Sequence, residues 1–152
     1  MATGQEDHHE RATERHVDDV DAPPPKILYG YVRVVRGDDK RATLLKADLL
    51  AFCQAYGYMR GTVFVDWGVE DTAIARPSFT SLLDVCRLVG AHGVVVPARA
   101  HLSSHAETLA LLQLQIQRTG VELVVADEFE ANLHRAIAVV ERPLDTVREP
   151  SS

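Results

Sequence analysis

The sequence predicts an α/β domain with a mainly parallel sheet of about four to five strands and helices on both faces. Short runs rich in β-branched and aromatic residues, at Tyr29–Arg36, Thr62–Trp67, Gly93–Pro97 and Val121–Ala126, alternate with longer stretches whose apolar residues recur at helical spacing. The run Gly93-Val94-Val95-Val96 is continuously apolar, as expected of a central parallel strand covered on both faces. With 152 residues, 46% of them hydrophobic, the chain is long enough to bury a real core, and with only 6% aromatics that core should be aliphatic.

Residues 1–25 hold seven acids against Arg11 and Arg15, a net charge of about minus five, and lack apolar periodicity, so they read as a disordered acidic leader. His8, His9 and His16 in that leader lack the pre-organisation a metal site needs. Pro23-Pro24-Pro25 and Gly37-Asp38-Asp39 bracket the first strand. Leu44, Leu45, Leu49, Leu50, Phe52 and Cys53 then trace a helix over Thr43 to Tyr56, stopped by Gly57. Asp66, at the end of the second strand, is expected to organise the following loop as a hydrogen-bond acceptor. After the polar stretch 68–75, Pro77 suits the first turn of a helix, because its missing donor is not needed there. That helix carries Phe79, Leu82, Leu83, Cys86, Leu88 and Val89 and stops at Gly90.

Beyond the third strand, Ser104-His105-Ala106-Glu107 has the form of a capping box. The helix it would open runs to Arg118 and closes at Gly120; its apolar residues wrap more than one face, which points to an interface. Phe129 to Val140 has the spacing of a final helix. The domain is thus expected to span 26–142, followed by a flexible tail, 143–152.

No apolar stretch approaches a membrane span and the N-terminus does not have the form of a signal peptide, so a cytoplasmic location is the default expectation. Cys53 and Cys86 fall in helical apolar patterns as buried thiols, and two cysteines make no metal or disulfide framework. No metal or cofactor is expected: there is no glycine-rich phosphate loop. Between Lys26 and Ala136 twelve acids face twelve bases. DNA-binding domains usually carry a basic surplus, because phosphate neutralisation supplies most of their affinity. Only a local patch of Arg33, Arg36, Lys40 and Arg41 offers one here.

In an open α/β sheet ligands sit outside the carboxyl ends of the strands, where Arg33 and Arg36 fall. Arg76 stands at the mouth of a helix, where unpaired amides favour an anion. These three are the candidate anion-binding residues. The structural alternatives are an ion pair of the strand-end arginines with Asp38 or Asp39, and of Arg76 with Glu70 or Asp71.

The blocks Gly30-Tyr31-Val32-Arg33-Val34, Phe64-Val65-Asp66-Trp67-Gly68-Val69, Arg76-Pro77 before Leu82-Leu83, Gly93-Val94-Val95-Val96 leading to Leu102-Ser103, and Gly120-Val121-Glu122-Leu123 resemble, in order, the N-terminal catalytic domain of serine recombinases, the resolvase/invertase family. The resemblance covers roughly Lys26 to Asp127 and implies a resolvase-catalytic-domain-like fold. It also implies that Arg33 and Arg76 are two of the active-site arginines.

Three departures bear on activity. The family's opening strand reads G-Y-x-R-V-S, with the serine as nucleophile; here Val35 takes its place, and no Ser, Thr or Cys lies between Tyr29 and Arg41. Covalent catalysis needs an activated oxygen, sulfur or nitrogen at that position. The family's D-R-L-x-R block is similar to Ala100-His101-Leu102-Ser103-Ser104, so both of its arginines are replaced, by His101 and Ser104. His101 could titrate near neutral pH, but no nucleophile accompanies it. The family's S-G pair is changed to Glu70-Asp71, placing negative charge where a DNA phosphate would come.

The expected function is therefore a recombinase-like domain that does not cut DNA: an accessory or regulatory module acting through a protein partner or a second copy, with weak DNA contact. The alternatives are a recombinase subunit whose partner supplies the nucleophile, and a small-molecule-binding module on the same sheet. In the family a long dimerisation helix and a further DNA-binding region follow. The final helix here is expected to be only about a dozen residues, with no helix-turn-helix or cysteine-rich unit after it.

Overall fold

The computed structural model describes residues 23–141. Four strands, β1 (Ile27–Val34), β2 (Met59–Trp67), β3 (Gly93–Val96) and β4 (Glu122–Val125), form one sheet in the order β2-β1-β3-β4. Every neighbouring pair is parallel. The helices are α1 (Asp39–Ala55), α2 (Pro77–Val89), α3 (Ala106–Arg118) and α4 (Ala126–Glu141). The predicted α/β class and parallel sheet are those observed, with four strands.

Strand alternation sends the side chains of the central strands to two separate cores. On one face Tyr31, Val94, Val96 and Val125 pack against Phe79, Leu82, Leu83 and Cys86 of α2 and Leu112 and Ile116 of α3. On the other, Leu28, Val32, Val34, Val95 and Val124 pack against Ala42, Leu45, Leu49, Phe52 and Cys53 of α1. Both thiols are buried and free. From β1 the chain steps outward to β2 through α1, then back across β1 to β3 through α2, and on to β4 through α3. Placing α1 opposite α2 and α3 is what right-handed crossovers require when the direction of travel reverses.

Local chemistry accounts for the element ends. α1 begins at Asp39, four residues before the expected Thr43, because the Asp38 carboxylate accepts from the Arg41 amide at 3.1 Å and caps it. α2 has Pro77 in its first turn and ends at Gly90 with φ 61°, a left-handed conformation that glycine adopts without steric cost. Gly93 answers a different need: a Cβ there would sit 2.6 Å from the Glu122 carbonyl oxygen of β4. Strands β3 and β4 approach this closely only because position 93 has no side chain.

α4 starts at Ala126, immediately after β4, and runs 16 residues to Glu141, longer than the dozen expected. Phe129 anchors its first turn, with its ring 5.3 Å from Phe52 and 4.8 Å from Tyr56 of the segment closing α1. From Ala131 to Val140 every side chain is exposed. No helix among the described residues is long and apolar enough to cross a membrane. Most of the leader and the whole 143–152 tail lie outside the described residues.

Candidate anion site at the carboxyl edge of the sheet

The chain leaves β1 through a helix on one face and leaves β3 through a helix on the other. The carboxyl edge between these strands is therefore the topological switch point, where a crevice opens in this architecture. Arg33, near the end of β1, stands there, and the segments 68–76 and 97–105 close around it.

The deepest layer of the site is a buried polar network on the α2 side. Asp66 is 2% exposed, and its carboxylate accepts from the Ser78 amide at 2.8 Å, the Phe79 amide at 3.0 Å and the Tyr31 hydroxyl at 2.8 Å. It thus caps α2 from a neighbouring strand, satisfying amides that the helix leaves unpaired. Arg76 caps nothing with its side chain. Its guanidinium, 1% exposed, donates instead to carbonyl oxygens, to Ala73 at 2.8 Å, Asp71 at 3.0 Å and His101 at 3.4 Å, and to the Tyr31 hydroxyl at 3.4 Å. Burial is the first cause that raises the Tyr31 phenol well above its ordinary range, so it stays neutral.

Above this network lies Asp71. Its Oδ1 takes Nη2 of Arg33 at 2.7 Å and the Ser104 amide at 3.0 Å, and Oδ2 takes the Ser104 hydroxyl. Nε2 of His105 lies 3.6 Å from Oδ2. Hydrogen bonds from the Ser104 hydroxyl and amide, then the charges of Arg33 and His105, hold the Asp71 carboxyl below the usual carboxylate range. A carboxylate so stabilised is a poor base, so its contact with Ser104 does not activate that hydroxyl as a nucleophile.

The remaining contacts fix the surrounding backbone. Arg33 donates to the Val69 carbonyl at 3.3 Å and the Ala100 carbonyl at 3.0 Å. The Ser103 hydroxyl donates to the Asp71 carbonyl at 2.8 Å. His101, in a 3-10 turn over Arg99–His101, accepts the Arg33 amide on Nδ1 at 3.1 Å. Burial first, then the charges of Arg41 and Arg33, push His101 down to about 4, so at neutral pH the ring is uncharged and carries its proton on Nε2.

The expected site residues separate into two groups. Arg33, Arg76, His101 and Ser104 come together with Asp71. Val35 and Arg36 lie past the end of β1, exposed; Val35 is 75% exposed. Lys40 and Arg41, exposed on the first turns of α1, continue that outer basic patch.

Two local expectations are corrected. Arg33 pairs with Asp71 rather than with Asp38 or Asp39, because its side chain is directed across the strand ends while Asp38 is engaged with α1. Ser104 forms no capping box: the N-cap of α3 is His105, without a side-chain cap, and the Ser104 hydroxyl is turned to Asp71. The burial of Arg76 and the role of Asp71 were not legible in the sequence, where Arg76 was expected at a helix mouth facing an anion or a surface acid and Asp71 as a charge of the polar loop.

The family described as "Resolvase, N terminal domain" matches residues 28–140. The chain belongs to that family. Solved structures agree on the fold of this resolvase-family domain. The N-terminal catalytic domain of TP901-1 integrase superposes with a TM-score of 0.59 at 18% identity, covering 79% of this chain and 99% of that one. A resolvase family site-specific recombinase from Streptococcus pneumoniae gives 0.56 at 18% identity, covering 83% and 94%. The C-terminal catalytic domain of ISC1926 TnpA, an IS607-like serine recombinase, gives 0.57 at 16% identity, covering 75% and 80%. No curated protein matches by sequence.

Proposed function

We propose that this resolvase-family domain does not cut or rejoin DNA. It acts as an accessory or regulatory module linked to DNA recombination, in the cytoplasm, through a protein partner or a second copy and through weak contact with DNA. The observation that carries this reading is Val35, exposed just past the end of β1 and without a nucleophilic atom; on the sequence resemblance it stands where the family has its serine. The neutral His101, which accepts the Arg33 amide and on the resemblance stands where the family has an arginine, supports the same reading. A transferring phosphoryl group would meet fewer cations than its charge demands.

DNA contact is assigned to the exposed Arg36, Lys40 and Arg41 and to the half-buried Arg33. Arg76 as a phosphate ligand fits less well with a guanidinium already committed to carbonyl oxygens. Protein contact is supported by α4, where Leu133, Ile137 and Val140 recur at helical spacing on a stretch whose side chains are all exposed. The acidic leader, if it competes with DNA for the basic patch, would weaken that contact, and removing residues 1–25 would then strengthen it.

The test is titration of the protein into labelled mixed-sequence duplex as salt rises. Binding is expected only at low salt, with a log–log slope of roughly −3 for about three neutralised phosphates. Charge removal at Arg36, Lys40 and Arg41 together should abolish it. Strand cleavage, or a protein–DNA adduct that survives denaturant, would overturn the proposal.

A further inference from the structure

The contacts around Asp71 form a set usually supplied to an anion from outside. One guanidinium, one backbone amide, one hydroxyl and one imidazole, drawn from β1 and from the segment entering α3, converge on the two oxygens of a single carboxylate. Cationic forks with amides and hydroxyls are what phosphate oxygens accept. The Arg33 guanidinium is not used up by these contacts, since among the described residues its buried Nε has no hydrogen-bond partner.

The carboxylate is carried on a short connecting segment, 68–76, rather than on a helix or strand. That segment is held from below: Arg76 and Ser103 both donate to the Asp71 carbonyl, at 3.0 and 2.8 Å. The side chain above is exposed by a quarter, so the seat lies at the surface and an anion from solvent can reach it.

We propose that Asp71 is an internal substitute for a phosphate-type oxyanion, filling an anion seat made by Arg33, Ser104 and His105 and closing it to phosphate until the carboxylate is displaced or neutralised. The proposal rests on the reading that this edge of the sheet faces nucleic-acid phosphate, and adds how the contact is regulated. An attached carboxylate competes at the high effective concentration of an intramolecular group, so free phosphate at ordinary concentrations does not displace it. On this edge of the sheet, among the described residues, the exposed patch of Arg36, Lys40 and Arg41 is left as the ready contact, which keeps DNA binding weak.

The experiment uses the full chain, its Asp71→Asn variant, and Asp71→Asn combined with Arg33→Gln. Asparagine keeps an oxygen for the Ser104 amide and removes the charge. Asp71→Gly serves as a second opening variant, and thermal melts establish that each protein is folded. Each is titrated with inorganic phosphate at constant ionic strength, following the amide resonances of Arg33 and Ser104, and then with a short duplex. Asp71→Asn or Asp71→Gly is expected to bind phosphate at least roughly ten-fold more tightly than the unmodified chain. The gain should vanish when Arg33 is replaced as well.

No gain in either folded opening variant, or a gain that persists without Arg33, overturns the proposal. Duplex binding by the unmodified chain without any gain on opening would sink this proposal alone. A phosphate gain on opening, with no protein binding duplex, would uphold the seat and remove DNA as its source of phosphate.

Discussion

Replacing Asp66 by alanine removes one side chain and leaves three donors without their acceptor. The Ser78 and Phe79 amides, at 2.8 and 3.0 Å, belong to the first turn of α2, and the Tyr31 hydroxyl, at 2.8 Å, lies in the core beneath the site. Hydrogen bonds to a charged group contribute roughly 1.5–3 kcal/mol each, and loss of a helix N-cap costs about 1 kcal/mol. These terms overlap, because the two amide bonds are themselves the cap. The Tyr31 hydroxyl still accepts from Arg76 at 3.4 Å, but its own proton is left without an acceptor. A net cost of about 3–5 kcal/mol follows, a large share of the roughly 5–15 kcal/mol that stabilises a domain. The assay is urea unfolding followed by circular dichroism and by the fluorescence of Trp67, with Tyr31→Phe as the control that removes a single donor and costs about 1 kcal/mol. An Asp66→Ala cost below about 1 kcal/mol, or one equal to that of Tyr31→Phe, would refute the view that this carboxylate holds strand, helix and site together.

His101 has its pKa lowered from 6.5 to about 4, so folding favours its neutral form. Its contribution is fully present above pH 6.5 and is lost as pH falls from there through about 4, by about 2–3 kcal/mol after allowance for partial exposure. His101→Gln should lose less stability than the unmodified protein between pH 7.5 and pH 4.5, at roughly one proton per molecule, and an equal loss in urea melts would contradict this. Val35→Ser alone should yield no denaturant-resistant adduct with DNA, because on the proposed reading His101 and Ser104 replace two phosphate-clamping arginines; an adduct on a denaturing gel would count against the proposed function. Gly93→Ala should cost about 1–3 kcal/mol, since the added carbon would meet a backbone oxygen that cannot rotate away. An unchanged urea midpoint would show that β3 and β4 can separate without penalty.

Much of the fold was legible because two signals agreed along the chain. The apolar run 93–96 marked a strand buried on both faces, and Pro77 and Gly90 marked the two ends of α2. The capping oxygen of Asp38 set the start of α1 earlier than its apolar pattern suggested, since that first turn is polar. Asp66 is an acceptor as expected, but it organises the first turn of α2 and the Tyr31 hydroxyl of β1 rather than the loop that follows it. The site was less legible. A sequence shows that Arg33, Asp71 and Ser104 are polar, but their meeting depends on a register between residues 38 and 33 positions apart, which no local pattern encodes. For the same reason Ser104, with a glutamate three residues on, satisfied the capping pattern and was taken by a distant carboxylate instead.

α4 carries a further consequence. Its first turn is gripped by the rings of Phe52 and Tyr56, while from Ala131 onward the helix has no tertiary cover among the described residues. An uncovered helical segment of this length depends on intrinsic propensity, which is marginal in water. Amide protection should therefore fall steadily outward along α4 while the sheet stays protected. Any protein that covers Leu133, Ile137 and Val140 would reveal itself as slowed exchange confined to those outer turns. The fold thus holds a segment whose order reports on company, in a domain whose centre is indifferent to it.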